Sequence, residues 1–387
     1  MIEQARLRTR QLQQKLAENN IPVAILTDQS TIAYFAGFWG YLGIEFGRPT
    51  FLLITPDAEP TVITPLMESE MVGAMTWVED IRTWEDVGQR SWHNVLVKAL
   101  ANIRGPAGIE KPQVPQVVAE CLSENSIETV DIGTIIGDMR MIKSAEEIVV
   151  MREAGHIAGA MMKAAHVSLA IGEPEYESAL AVVNAGTRAA AGFLTKDGWD
   201  AFVSPMIHNL QILQSGKDTS MVHRRASTKL YDIGDPVYFC FCNMAEFKQY
   251  KLGFDRMFFI EEVGDQEREI QQAAIDAQQA ALAVLRPGIR AEEVALAADE
   301  VYAERGYSTG YRTGRSIGVA YLEQPELKAG DHTILQAGMT FAVDGGISVD
   351  GVCGGRIGDS VVVTETGFEY LTEYPREVLI SGAENIA

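Results

Sequence analysis

Apolar residues recur at helical spacing over residues 3–18, where Leu7, Leu12 and Leu16 stand among polar neighbours ahead of Asn19-Asn20 and Pro22. This pattern predicts an opening helix. Short continuous apolar runs follow at 21–26, 50–54 and 60–63, and these are of strand type. A helical stretch over 92–101 and a short strand at 108–110 complete the first third. Strands alternating with helices predict a small α/β domain over residues 1–138.

Beyond it the pattern changes. Residues 144–167 repeat at helical spacing and open on Ser144 with Glu147 three positions on, the signature of a capping box. A second helix is predicted over 173–191, after Gly172. A long helical block at 264–305 is divided by Pro287-Gly288. Runs at 237–243, 256–262, 340–343 and 360–364 read as strands. The second domain, residues 139–387, is therefore expected to be α+β and larger than the first.

Length and composition agree with that division. A chain of 387 residues suits two domains, and 47% hydrophobic residues are enough for substantial cores. The formal net charge of −21 repels phosphate backbones and anionic lipid surfaces, so neither nucleic acid nor a membrane is expected as partner. The first residues are polar, and no apolar run approaches the length of a membrane span, so a cytoplasmic protein is expected. Cys121, Cys240, Cys242 and Cys353 lack zinc-finger spacing and are read as buried reduced thiols, with Cys240 and Cys242 on one face of a strand. No two histidines show i,i+4 spacing beside a glutamate, the pattern of helical zinc proteases.

Several phrases occur together in a fixed order. They are Arg140-Met141-Ile142-Lys143-Ser144, Glu146-Glu147, Met151-Arg152-Glu153-Ala154, Gly172-Glu173, Ser215-Gly216 through to His223, and Gly234-Asp235. Gly314, Gly318, Pro325, Gly338-Met339, Gly355-Arg356 and Asp359 continue the series. The ordered set resembles the pita-bread family of methionine aminopeptidase, prolidase and creatinase. The resemblance covers the whole chain, since the creatinase-type members also carry an N-terminal domain of this size. It implies a C-terminal pita-bread domain preceded by a smaller creatinase-type α/β domain. Most of the glycines in the series are read as serving the backbone alone.

The metallopeptidases of that family hold two metal ions with two aspartates, a histidine and two glutamates. At those positions this chain has Cys240, a site near Gly253, Arg315 and Gly358, and only Asp344 remains acidic. A guanidinium at Arg315 places positive charge where cations would sit. No metal and no other cofactor is therefore expected, and a two-metal peptidase mechanism is disfavoured.

Creatinase works without metal, and the resemblance to it implies roles for what remains. His223 is the expected catalytic group, a histidine being able to shuttle protons near neutral pH. Asp255 and Asp344 correspond to the two carboxylates that hold the substrate cation. The competing reading of Asp344, just ahead of Gly345-Gly346, is a turn aspartate. Phe46-Gly47-Arg48 matches an element that reaches the substrate carboxylate across a homodimer interface. Arg48 and Arg315 are both candidates for gripping that carboxylate with a forked donor. Both acids are aspartates here where creatinase has glutamates, so creatine itself fits poorly, and ectoine-type hydrolases of the same fold are the nearest precedent. The expected activity is metal-independent hydrolysis of a non-peptide C–N bond in a small zwitterionic nitrogen compound. The alternatives are a non-catalytic ligand-binding relative and an Xaa-Pro peptidase.

Overall fold

The structure, a computed structural model, describes residues 2–39, 48–86, 88–197, 201–207, 212–242, 245–308 and 312–381. The chain divides into two compact units, Met1–Met139 and Arg140–Ala387.

The first unit runs α1 (Ile2–Glu18), β1 (Val23–Leu26), α2 (Gln29–Ala36), β2 (Phe51–Ile54), β3 (Thr61–Pro65), α3 (Ser69–Met75) and β4 (Asp80–Trp84). It continues through α4 (Trp92–Leu100), β5 (Ala107–Ile109), α5 (Gln116–Glu124) and β6 (Thr129–Asp131), and α6 (Gly133–Met141) carries the chain past the boundary. Among the described residues six strands form one sheet in the order β4-β3-β2-β1-β5-β6, antiparallel only at β1–β2 and β2–β3. Strands β1, β2, β3 and β5 are buried at every residue, which explains why they read as unbroken apolar runs rather than alternating ones. Leu12 and Leu16 of α1 are buried, whereas Leu7 is exposed. Helix α2 starts where the Asp28 carboxylate accepts the Thr31 backbone N–H at 2.9 Å.

The second unit opens with α7 (Ala145–Val167) and α8 (Glu175–Asp197). Ser144 caps α7 as its spacing predicts: its N–H donates to Glu147 Oε2 at 2.9 Å and its hydroxyl accepts the Glu147 N–H at 3.4 Å. There follow β7 (Ile212–Ser215), β8 (Pro236–Cys240), the small pair β9 (Glu246–Phe247) and β10 (Tyr250–Lys251), and β11 (Asp255–Ile260). Helices α9 (Asp265–Val284) and α10 (Ala291–Glu304) replace the predicted helical block. Then come β12 (Gly314–Ser316), β13 (Glu323–Leu327), β14 (Thr340–Val349), β15 (Cys353–Val363), β16 (Phe368–Tyr370) and β17 (Leu379–Ser381).

The main sheet orders its strands β13-β12-β14-β15-β11-β8-β7, with β16 on β15 and β17 on β11. Its core lies against α9 and α10, where Ala273, Ala274, Ala277 and Ala281 meet Phe341, Val343 and Val361. Strands β14 and β15 form a hairpin much longer than the runs at 340–343 and 360–364, paired from Thr340↔Val362 to Val349↔Cys353. Gly345-Gly346 look like a turn signal in the sequence but sit inside β14, as Gly354-Gly355 sit inside β15. They are there for close approach, because a Cβ on Gly345 would collide with the Ala274 carbonyl of α9. Asp344 is accordingly a mid-strand residue and not a turn aspartate. No described helix is long and apolar enough to cross a membrane.

Candidate functional site

Four strands of the main sheet meet in one row. Cys240 of β8 pairs with Asp255 of β11, Asp255 pairs with Gly358 of β15, and Gly358 pairs with Asp344 of β14. Directly paired residues project to the same face, as do residues two apart on one strand. Tyr238 therefore joins this face, and Gly253, just ahead of β11, lies against Ala342 and the Arg315 guanidinium. Gly358 contributes space: a Cβ there would lie 2.7 Å from Asp344 Oδ1 and 3.1 Å from Asp255 Oδ2. Two carboxylates thus converge over a position that carries no side chain.

Arg315 enters from β12, where it pairs with Ala342, two residues from Asp344. Its Nη1 donates to Asp344 Oδ2 at 2.6 Å, and its Nη2 donates to Cys242 Sγ at 3.1 Å and to Tyr321 Oη at 2.5 Å. The guanidinium also lies over the Tyr321 ring, 4.5 Å from its centroid. Lack of a side chain at Gly253 makes room for this, since a Cβ there would be 2.9 Å from Arg315 Nη2. Asp255 is buried; its Oδ2 accepts from the Tyr238 hydroxyl at 3.0 Å and its Oδ1 from Cys242 Sγ at 3.6 Å. Asp344, Cys242 and Tyr321 are half-buried and form the accessible side of the cluster.

Burial pushes the Asp344 carboxyl up to about 6, with the Arg315 guanidinium opposing the shift and the Asp255 charge adding to it. Burial works against the charge of Arg315, yet the electronegative groups Cys242, Asp344, Tyr321 and Asp255 hold it protonated well above its ordinary range. Burial, reinforced by Cys242 and Asp255, drives the Cys240 thiol well up. The Tyr238 hydroxyl is likewise raised by burial and then by Asp255.

The residues singled out by sequence fall in three places. Asp255, Asp344 and Arg315 are brought together in the cluster just described. His223 is exposed, in the loop after the short turn Gly216–Ser220. That loop is held on both sides of it: Gln214 Nε2 donates to the Met221 carbonyl at 2.5 Å, and Arg224 grips the buried Glu175 with Nη1 2.9 Å from Oε2. Among the described residues no hydrogen bond joins His223 to either aspartate. Arg48 belongs to the first unit, where its Nη2 donates to Asp86 Oδ2 at 2.7 Å. Phe46 lies outside the described residues. Sequence reasoning missed Tyr238, Cys242 and Tyr321 as members of the cluster. The period of two through Tyr238, Cys240 and Cys242 was a signal for the first two. Tyr321 comes from an irregular bend between β12 and β13, which leaves no periodic trace.

The family model described as Metallopeptidase family M24 matches residues 149–365, and the Creatinase/Prolidase N-terminal domain matches residues 8–142. The chain belongs to the M24 family. It is 28% identical to the agropine synthesis cyclase of Rhizobium rhizogenes, over 96% of each chain. It is 27% identical to an Xaa-Pro dipeptidase of Lactobacillus helveticus, over 95% of this chain and 97% of that one. A creatinase from a Bacillus species is 26% identical over 96% of this chain and 91% of its own length. Among solved structures, the prolidase from Pyrococcus furiosus superposes with a TM-score of 0.79, covering 94% of this chain and 99% of that one at 24% identity. The α+β pita-bread fold with a creatinase-type N-terminal domain is thereby established.

An M24 metallopeptidase implies a pair of hard divalent ions, and the donors present do not fit one. The Arg315 guanidinium fills the space over Gly253 and binds Asp344 directly, so a fixed cation stands among the remaining carboxylates. The close donors are instead Cys240, Cys242 and Asp255, whose ligating atoms lie within 4.8 Å of one another. Two of these three are soft sulfurs.

Proposed function

We propose that the chain is a metal-independent hydrolase cleaving a non-peptide C–N bond in a small zwitterionic nitrogen compound, of the creatinase or ectoine-hydrolase kind. The observation that carries this reading is the convergence of Asp255 and Asp344 over Gly358 beside the Arg315 guanidinium. Two carboxylates against one fixed cation leave a surplus of one negative charge. A single amidinium or ammonium group neutralises it, and a charge entering a half-dry site needs such a partner. The free Asp344 Oδ1, buried without a hydrogen-bond partner, is the acceptor that the substrate cation would fill.

His223 relays the proton between water and the leaving nitrogen. Arg315 spends its fork on Asp344, Cys242 and Tyr321, so the substrate carboxylate falls to Arg48. The homodimer expected from the creatinase resemblance supplies Arg48 and Phe46 from the partner subunit's N-terminal domain. A second reading as an Xaa-Pro dipeptidase is favoured by the relatives of that name, and it requires bound divalent metal.

The test is a product assay on guanidino acids, cyclic amino acids, N-acyl amino acids and Xaa-Pro dipeptides, with and without chelator. Turnover of a non-peptide substrate that survives chelation is expected; chelator-sensitive release of proline would establish the dipeptidase instead. His223→Asn is expected to lower turnover by about 10²–10⁴-fold. Its stability should stay within about 0.5 kcal/mol, because the side chain is exposed. Unchanged turnover would remove His223 from the mechanism.

A further inference from the structure

Cys242 is the group the reaction above leaves unused. Its sulfur sits inside the carboxylate cluster, 3.1 Å from Arg315 Nη2 and 3.6 Å from Asp255 Oδ1. It is the half-buried member of the four free cysteines, while Cys121, Cys240 and Cys353 are buried. Burial pushes the Cys353 thiol up to about 12 and drives Cys240 well above its ordinary range, so both are held as inert thiols. At Cys242 a guanidinium N–H points at the sulfur on the accessible side of the site, and the Asp255 carboxylate stands ready to take the thiol proton. That is the environment of a nucleophilic cysteine. The second observation is the vacancy beside it: Asp344 Oδ1 and Arg315 Nε are buried polar atoms without partners among the described residues.

We propose that Cys242 is the nucleophile of this site and that the substrate is an amidino compound, processed through a covalent thiouronium on its sulfur. This deepens the C–N hydrolase reading and rests on it. An amidinium paired with Asp255 and Asp344 Oδ1 presents its electrophilic carbon to the neighbouring sulfur. In the first step the Cys242 thiol passes its proton to Asp255 Oδ1, which accepts from it at 3.6 Å and returns it when the cycle closes, and the sulfur forms an S–C bond to that carbon. The C–N bond to the leaving amine breaks, and its electron pair takes a proton from His223. In the second step water attacks the same carbon, and the S–C bond breaks to return the thiolate. Of the two protons released, one returns to His223 and the other goes to the freed amine. For a guanidino acid the products are urea and the amino acid, with no oxidant, reductant or metal in the balance. Arg315 stabilises the sulfur anion in both steps, and Tyr321 and Asp344 orient Arg315.

The experiment is alkylation by chloroacetamidine, with uncharged chloroacetamide as control, followed by intact mass and peptide mapping. Wild-type protein is expected to take one equivalent on Cys242, at least about tenfold faster from the amidine. Cys242→Ser should fold with an unchanged melting temperature and lose that label. It should also lose turnover of any guanidino acid that the wild type hydrolyses, by on the order of 10³-fold or more. If Cys242→Ser hydrolyses the guanidino acid at the wild-type rate, the nucleophile is wrong while the hydrolase reading stands. If the wild type hydrolyses no guanidino acid but Cys242 labels selectively with the amidine, the site assignment stands and the reaction class falls. Labelling on another cysteine, or equal rates with both reagents, overturns the proposal. So does one tightly bound zinc per chain that shields Cys242 until chelator is added, because Cys240, Cys242 and Asp255 would then be metal ligands.

Discussion

Two charged clusters share strand β15 and differ in a way that separates structure from chemistry. Gly358 and Asp359 are adjacent and therefore face opposite sides of the sheet. On the Asp359 side both carboxylate oxygens and every guanidinium donor of Arg256 are used. Its carboxylate accepts from Arg256 Nη2 at 2.9 Å, Gln278 Nε2 at 3.1 Å, Thr372 Oγ1 at 3.1 Å and Arg376 Nε at 3.1 Å. Arg256 spends its remaining donors on the carbonyls of Asp255, Gly358, Tyr374 and Pro375. On the Gly358 side, Arg315 and Asp344 pair through one bond each and leave Arg315 Nε and Asp344 Oδ1 without partners among the described residues. A finished network holds strands together. An unfinished one, open on one side, has capacity for a ligand.

The sharpest way to break the comparison is to remove one acid from each cluster in turn. Asp359→Ala strands Arg256, whose side chain is 2% exposed, and a buried charge without its partner costs about 3–5 kcal/mol. Denaturant unfolding should show the loss directly, and activity should vanish only as the fold does. A loss below about 1 kcal/mol would mean that the network is ornamental.

Asp344→Asn should behave in the opposite sense. Arg315 keeps Tyr321 and Cys242, and a neutral amide does not carry the burial penalty of the charged carboxylate, so stability is expected to change by less than about 1 kcal/mol, while turnover falls by on the order of 10²-fold with the fold intact. The pH dependence carries a definite sign. The Asp344 carboxyl is raised from 3.8 to about 6, so its protonated form is the one the fold favours. Its contribution to stability is complete below pH 3.8 and is lost as the pH rises through about 6. Binding of a substrate cation runs the other way, since only the carboxylate pairs with it. KM should fall as the pH rises through that same range in the wild type and stay flat across it in Asp344→Asn. A KM that rises with pH there would remove Asp344 from cation binding.

These two clusters also show what the sequence reveals and what it hides. Helical periodicity and the Ser144–Glu147 box place α7, and ordered motif phrases place Asp255, Asp344 and the empty position at Gly358. Each of those signals is local or depends on matching a motif. The row itself is not local, because register between β8, β11, β14 and β15 joins residues up to 118 positions apart, Cys240 to Gly358. Arg315 reads in the sequence as a donor free to grip a substrate carboxylate. Its pairing opposite Ala342 instead aims it diagonally at Asp344. Gly345 reads as a turn because a glycine required for helix approach and one required for a bend are the same letter.

Gly358→Ala probes the empty position with less force. Its Cβ would sit 2.7 Å from Asp344 Oδ1 and 3.1 Å from Asp255 Oδ2, both at the ends of side chains that can move. About 1 kcal/mol of stability and about a tenfold rise in KM are expected, with kcat less affected. Unchanged KM would mean that the substrate does not use the gap between the carboxylates.

Arg48 tests the smallest and most distant part of the proposal. Its ion pair with Asp86 is exposed, 31% and 58% for the two side chains, and such pairs contribute little. Arg48→Ala should therefore shift stability by less than about 0.5 kcal/mol. If Arg48 meets the substrate carboxylate from a partner subunit, KM should rise about tenfold while kcat holds, the signature of lost uniform binding. The rise should disappear for a substrate analogue whose carboxylate is replaced by an amide. Asp86→Ala separates the alternatives: it frees Arg48 from its exposed partner and leaves the guanidinium in place, so KM should stay level or fall. A rise in both variants would mean that the Arg48–Asp86 pair shapes its own loop and that the carboxylate is bound elsewhere.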